Sequence, residues 1–266
     1  MSATPAQDDA APRPADRLRQ GAVLVAIAAM IAMNVAANAL PLAGRSTGEV
    51  SAAYPVPFTP AGYVFAIWAL IYLGLIAFGV FQALPGRARD PRLRDVAPWV
   101  VLGCAANVAW LVAWHTLRIP LSMALMVVLL IALLATYERL HRGPSDRATV
   151  LLARLPFGIY LGWITVATVA NASVTLWHWG FRGGPWAPET WALIMVFVAT
   201  AIGVRVLQAR GDVAFALVLI WAFVGIAVAR GFPGLLPGGA LVASALLAGG
   251  IAGRLVRGRA DAEGRA

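Results

Sequence analysis

VAPWVVLGCAANVAWLVAWHTLRIPLSMALMVVLLIALLATY, residues 96–137, decides the fold. Two apolar runs, 96–117 and 119–137, are separated only by Arg118 and its neighbours, and Pro120 opens the second. Each comes close to the roughly 20 residues that an α-helix needs to cross a bilayer. The pair reads as a tight helical hairpin. Runs of the same kind recur at 21–43, 60–84, 152–177, 190–208, 213–229 and 235–253, with Pro60 a good first-turn residue for the second span. Three or four such segments fit inside a soluble core, but eight do not. The chain has 266 residues, 61% hydrophobic and 12% charged, with a mean hydropathy of +0.78. Soluble domains carry about 25% charged residues. The expected fold is all-α, a polytopic membrane helix bundle in which each helix satisfies its own backbone.

All 21 basic residues are arginine, and the net charge is +9. In a soluble chain this balance suggests nucleic acid. Here the arginines sit in short loops between apolar runs, so the lipid bilayer is the expected partner and nucleic acid is not. Arg13, Arg17, Arg19, Arg87, Arg89, Arg92, Arg94, Arg139, Arg142, Arg147, Arg154, Arg205, Arg210, Arg254, Arg257, Arg259 and Arg265, 17 in all, fall on one side. Only Arg45, Arg118, Arg182 and Arg230 fall on the other. The positive-inside rule then gives a multi-pass protein of the cytoplasmic (plasma) membrane with both termini cytoplasmic. Residues 1–20 read as a disordered cytoplasmic tail and 254–266 as a second polar tail. Span 1 followed by Ala37-Asn38-Ala39 also fits a cleaved signal peptide, which leaves seven spans in the same orientation.

None of the twelve acidic residues lies mid-membrane, which disfavours a proton-coupled pump. Nucleotide-binding, zincin and serine-hydrolase motifs are missing, and no His, Cys and carboxylate set has metal spacing. The expectation is a protein that binds rather than catalyses, with no metal. Cys104 reads as a buried thiol. The polar groups within the runs are Asn34, Asn38, Asn107 and Asn171, all in the outward halves of spans 1, 3 and 5. A buried amide needs partners, so these residues either tie helices together or line a polar spot in a cavity. Trp114, Trp177, Trp179, Trp186 and Trp191 sit near the outer ends and read as an aromatic belt. His115 and His178 read there as solvated interfacial residues. Trp68 lies deeper, on the order of 12 Å into span 2 at 1.5 Å per residue. Trp110 shares a face with Asn107, and Trp163 roughly shares one with Asn171. Plain packing accounts for these three, and so does a flat apolar pocket with a few amides. Gly158-x-x-x-Gly162 and Gly249-x-x-x-Gly253 permit close helix approach, either within the chain or in a homodimer.

Three segments carry a resemblance. Phe58-Thr59-Pro60-Ala61-Gly62-Tyr63-Val64-Phe65-Ala66-Ile67-Trp68-Ala69-Leu70-Ile71-Tyr72 resembles the second-helix signature of the TspO/MBR family of tryptophan-rich sensory and translocator proteins. Asn107-Val108-Ala109-Trp110 resembles its third-helix N-x-x-W. Tyr160-Leu161-Gly162-Trp163-Ile164-Thr165-Val166-Ala167-Thr168-Val169-Ala170-Asn171 resembles its fifth-helix motif. The matches fall in order within residues 21–180. The resemblance implies a five-helix bundle around a cavity, lidded by residues 43–59, that takes porphyrins or other hydrophobic planar ligands. By motif position, Trp68, Asn107, Trp110, Trp163, Ala167 and Asn171 would line the cavity. Tyr63 stands in place of a family tryptophan, while Asn38 and Arg45 would add an amide and a carboxylate partner. A porphyrin enters only as the ligand so implied, and no cofactor follows from the residues themselves. The lid lacks the tryptophan that family lids often carry, and the helix-5 sterol motif is missing, so sterol binding and porphyrin breakdown are not expected. Spans 6–8 (181–253) read as a three-helix extension with no counterpart in the five-helix family. The function expected is a TspO-like binding or sensory receptor. The alternatives are a small-solute permease and a structural or partner-binding membrane protein.

Overall fold

A computed structural model of the chain describes residues 13–40 and 42–263, with side chains described through residue 257. Residues 1–12 and 264–266 of the two expected tails lie outside the described residues. The helices are α1 (Pro14–Ala39), α2 (Thr47–Ala52), α3 (Ile67–Ala83), α4 (Pro91–His115), α5 (Ile119–Leu140), α6 (Arg147–Thr149), α7 (Leu155–His178), α8 (Pro188–Arg210), α9 (Val213–Arg230) and α10 (Leu235–Glu263). A 3-10 turn, Gly62–Ala66, leads into α3, and a π turn, Val150–Arg154, joins α6 to α7. Among the described residues, eight helical segments are long and apolar enough to cross a membrane.

The helix ends follow from local chemistry. Asp90 caps α4 by accepting from the backbone N–H of Arg92 at 2.9 Å, and Pro91 fills the first helical position. At the hairpin, Arg118 N–H donates to Ala113 O at 2.8 Å and Leu117 N–H to Trp114 O at 3.1 Å, which is a Schellman ending. Leu117, at φ 57°, occupies the left-handed position that usually falls to glycine.

Three boundaries differ from the sequence reading. Residues 14–20 are the first turns of α1 rather than part of a tail, because neighbouring helices hold them. Arg94 grips the buried Asp16 carboxylate with two bonds of 2.7 Å. Gln20 Nε2 donates to Gln82 O at 2.7 Å, and Gln82 Nε2 donates to Gln20 O at 3.1 Å. At the other end of the chain, α10 continues past residue 254 to Glu263. The second span starts with the turn at Gly62, so Pro60 lies before the helix.

α1, α3, α4, α5 and α7 form one bundle, with the α4–α5 hairpin as its most extensive contact. α9 lies along α7, with α8 and α10 against it. The attachment is specific. Asp212 caps α9 by accepting from Phe215 N–H at 3.0 Å, and it also accepts a bond from Tyr137 Oη on α5 at 2.8 Å. Gly158 faces Asp212, and a Cβ at Gly162 would lie 3.1 Å from Val218. The Gly158-x-x-x-Gly162 motif therefore serves packing within the chain, whereas Gly249 and Gly253 meet little. The end of the bundle holding the start of α1, the end of α3, the start of α4 and the end of α5 is rich in arginine. There Arg87 pairs with Asp146, Arg139 and Arg142 pair with Asp95, and Arg210 pairs with Glu138. The opposite end carries α2 and is called the capped end below. Large exposed side chains such as Leu73, Ile131 and Leu246 form a surface suited to lipid.

Candidate ligand chamber

The turn Gly62–Ala66 swings Phe65 and Trp68 toward α7 rather than toward lipid. Phe65 and Trp163 meet edge to face at 5.7 Å, and Trp68 meets Trp163 at 6.3 Å and Tyr160 at 5.9 Å. Trp68 also stacks on Tyr72 at 5.6 Å. From α4, Trp110 and Trp114 stack at 5.7 Å, one helical turn apart. These rings wall two adjoining cavities at the capped end, of about 620 and 40 Å³. Both cavities are lined by Thr47, Pro60, Phe65, Trp68 and Trp110. The larger extends between α1 and α3 to Asn34, Asn38 and Tyr72, and the smaller runs along α7 past Trp163, Ala167 and Asn171.

The amides build the walls. Asn34 Nδ2 donates to Asn107 Oδ1 at 2.7 Å, and Asn107 Nδ2 donates to Tyr160 Oη at 3.0 Å, joining α1, α4 and α7. Trp110 Nε1 donates to Asn171 Oδ1 at 3.1 Å, and Asn171 Nδ2 donates to Ser122 Oγ at 3.1 Å, joining α4, α7 and α5. Buried amides bonded in this way fix the helices around the space. Asn107 is wholly buried in its network and lines neither cavity, whereas Asn34 and Asn171 do both jobs. Asn38 lies at the mouth between α1 and α3 and donates to Asn34 O at 2.9 Å.

Segment 42–61 roofs the space, with Thr47, Gly48, Ser51, Thr59 and Pro60 against it. A capping box makes α2 a firm element of that roof. Ser46 N–H donates to Glu49 Oε2 at 2.6 Å, and Glu49 N–H donates to Ser46 Oγ at 3.2 Å. These bonds hold the exposed Glu49 carboxyl below its usual range. Trp114 Nε1 donates to Thr47 O at 3.2 Å, and His115 Nε2 lies 3.4 Å from Thr47 Oγ1, so the roof is latched to α4.

Two expected site residues stand elsewhere. Arg45 is exposed on the cap and lines neither cavity, because α2 begins just beyond it and turns its other face inward. Tyr63 points to α9, edge to face with Trp221 at 5.3 Å, because a 3-10 turn puts it on a different side from Trp68. Two residues read as interfacial are interior. Trp114 is 4% exposed and His115 is fully buried, both under α2. Thr47, Ser51, Pro60, Phe65 and Tyr72 were not singled out as site residues by sequence, and for the cap residues no periodic signal existed to find them.

Two polar atoms in the chamber walls are buried without a protein partner, Trp163 Nε1 and Thr59 Oγ1. Native interiors leave few such groups, and each calls for an explanation. Both are hydrogen-bond donors, one beside each cavity.

Fold and site together define a class: an eight-span helical membrane protein with a roofed, aromatic chamber inside its five-helix core. The family model described as TSPO-like protein matches residues 20–253, and the chain belongs to that family. The match runs well past residue 180, so it takes in α8, α9 and most of α10 along with the core. Comparison with curated proteins and with solved structures gives no match.

Proposed function

We propose that this protein is a binding or sensory receptor holding a hydrophobic, planar, porphyrin-like ligand in the chamber under α2. The observation that carries the reading is the pairing of aromatic walls with two uncommitted buried donors, Trp163 Nε1 and Thr59 Oγ1. Aromatic faces favour a flat apolar body, and isolated donors favour a ligand with acceptors at its edge. A volume of about 620 Å³ lies within the roughly 300–1,000 Å³ of small-molecule pockets. The ligand enters from the bilayer between α1 and α3, where Val35 and Asn38 are exposed beside the larger cavity. The 17-to-4 arginine split supports placing both termini in the cytoplasm and the chamber in the outer half of the plasma membrane. The proposed role is binding without turnover.

The test is a titration of the detergent-purified protein with protoporphyrin IX, read by tryptophan fluorescence. Saturable one-site quenching that disappears in Ala167→Phe, which fills the smaller cavity between Trp163 and Asn171, supports the proposal. Quenching that rises linearly, or is the same in both proteins, overturns it.

A further inference from the structure

A third cavity, of about 360 Å³, lies outside the chamber between α7 and α8. These consecutive helices hardly touch each other. The gap is lined from α7 by Val169, Ala172 and Leu176 and from α8 by Trp191 and Met195. It reaches from Trp177 down to Thr168, on the order of 14 Å at 1.5 Å per residue. Protein interiors leave few voids larger than a water molecule, so an apolar gap of this size is unusual.

Its upper end is built rather than loose. Trp191 Nε1 donates to Gly183 O at 2.8 Å, and Trp191 packs on Trp186 at 5.1 Å and on Phe181 at 6.1 Å. Gly183 sits at φ +102°, and a Cβ there would run into Trp186 O, so only glycine closes this loop. Arg182 stands on the rim. Its guanidinium lies 3.7 Å over the Trp177 ring, and Nη1 donates to Trp177 O at 2.7 Å. Among the described residues no carboxylate pairs with Arg182. Stacking and the carbonyl bond fix the cation beside the groove and leave its remaining N–H edge for an anion.

We propose that the α7–α8 groove is a site for an anionic glycerophospholipid, with one acyl chain between the helices and the phosphate at Arg182. An apolar slot open to the bilayer selects a hydrocarbon chain, and an arginine with no carboxylate partner among the described residues at the slot's mouth selects a negative headgroup. The site is separate from the porphyrin-like chamber and holds whether or not that chamber binds a ligand. The two share walls, however. α7 turns Ala167, Ala170 and Asn171 to the chamber and Val169, Ala172 and Leu176 to the groove. The cap segment likewise gives Phe58 to the groove and Pro60 to the chamber.

Native mass spectrometry of the whole protein, released from nanodiscs of equal phosphatidylglycerol and phosphatidylcholine, tests the site. One retained phosphatidylglycerol is expected, favoured about fivefold, the preference one interfacial arginine gives. Arg182→Gln should bring the ratio near one, and Arg118→Gln, at the same end but outside the groove, should not change it. Ala172→Phe should remove the retained lipid altogether and leave protoporphyrin IX quenching intact. If Ala172→Phe does not fold, the Arg182→Gln ratio still decides. Equal retention of both lipids by the parent protein, or a preference unchanged in Arg182→Gln, overturns the proposal.

Discussion

Replacing Trp163 with phenylalanine should weaken ligand binding without lowering the stability of the apo protein. Trp163 is 3% exposed, and its Nε1 has no partner in the protein. A buried unsatisfied donor costs about 1–3 kcal/mol. Phenylalanine removes that donor but also thins the edge-to-face contacts with Phe65 and Trp68, a loss on the order of 1 kcal/mol. The apo protein should therefore be as stable as the parent or up to about 2 kcal/mol more stable. In a chain of this size that is a thermal midpoint unchanged or raised by a few degrees. If the donor meets a carboxylate or other strong acceptor on the ligand, its loss costs about 1.5 kcal/mol of binding, roughly tenfold in Kd. Thermal unfolding in detergent and protoporphyrin IX titration of the same sample read the two effects. A midpoint lowered by several degrees with unchanged affinity would refute the reasoning, because it would make Trp163 an ordinary packed residue.

Three further outcomes follow from the walls and ends of the bundle. Asn107→Leu removes the bonds to Asn34 and Tyr160, and interhelical bonds in membranes average about 0.6 and reach about 1.7 kcal/mol, so the variant should lose roughly 1–3 kcal/mol in detergent unfolding. Gly225→Leu should push α9 away from Val64 and break the 3.0 Å bond from Ala61 N–H to Gly225 O, which hydrogen exchange reads as faster exchange at 61–66. Asp146 caps α6 and pairs with Arg87, and hydrogen bonds from Thr149 and then Arg87 hold its carboxyl below the ordinary 3.8. Because the folded-state value is depressed, the stabilisation is complete above pH 3.8 and is lost as pH falls through the folded-state value. The midpoint difference between the parent and Asp146→Asn should accordingly be flat from neutral pH to about 5 and shrink below 3.8.

The eight spans were legible because hydropathy at span length is a strong signal, and the helix ends carried Pro and Asp markers. Much of the chamber was legible too. Asn107 and Trp110 share a helix face, as do Trp163 and Asn171, and the structure turns both pairs inward. The errors cluster where a loop decides the environment. Trp114 and His115 end a span, and only the fold of α2 over them distinguishes an interior position from an interfacial one. Arg45 was placed as a lid residue able to meet a carboxylate and Tyr63 by motif position, and a cap turn and a 3-10 turn send them elsewhere. The extension appeared separable at residue 180 because its sequence has no polar motif. Its link to the site runs through a glycine carbonyl and one indole, Gly225 O to Ala61 N–H and Trp221 Nε1 to Val64 O at 3.0 Å, contacts without a period in sequence.

A structure of the full chain with protoporphyrin IX bound tests the central claim most directly. Ligand density is expected under α2, bounded by Trp68 and Trp110, with an acceptor edge within hydrogen-bond distance of Trp163 Nε1 or Thr59 Oγ1. Density confined to the α7–α8 groove or to the lipid-facing surface, with the chamber closed by its own side chains, would contradict it.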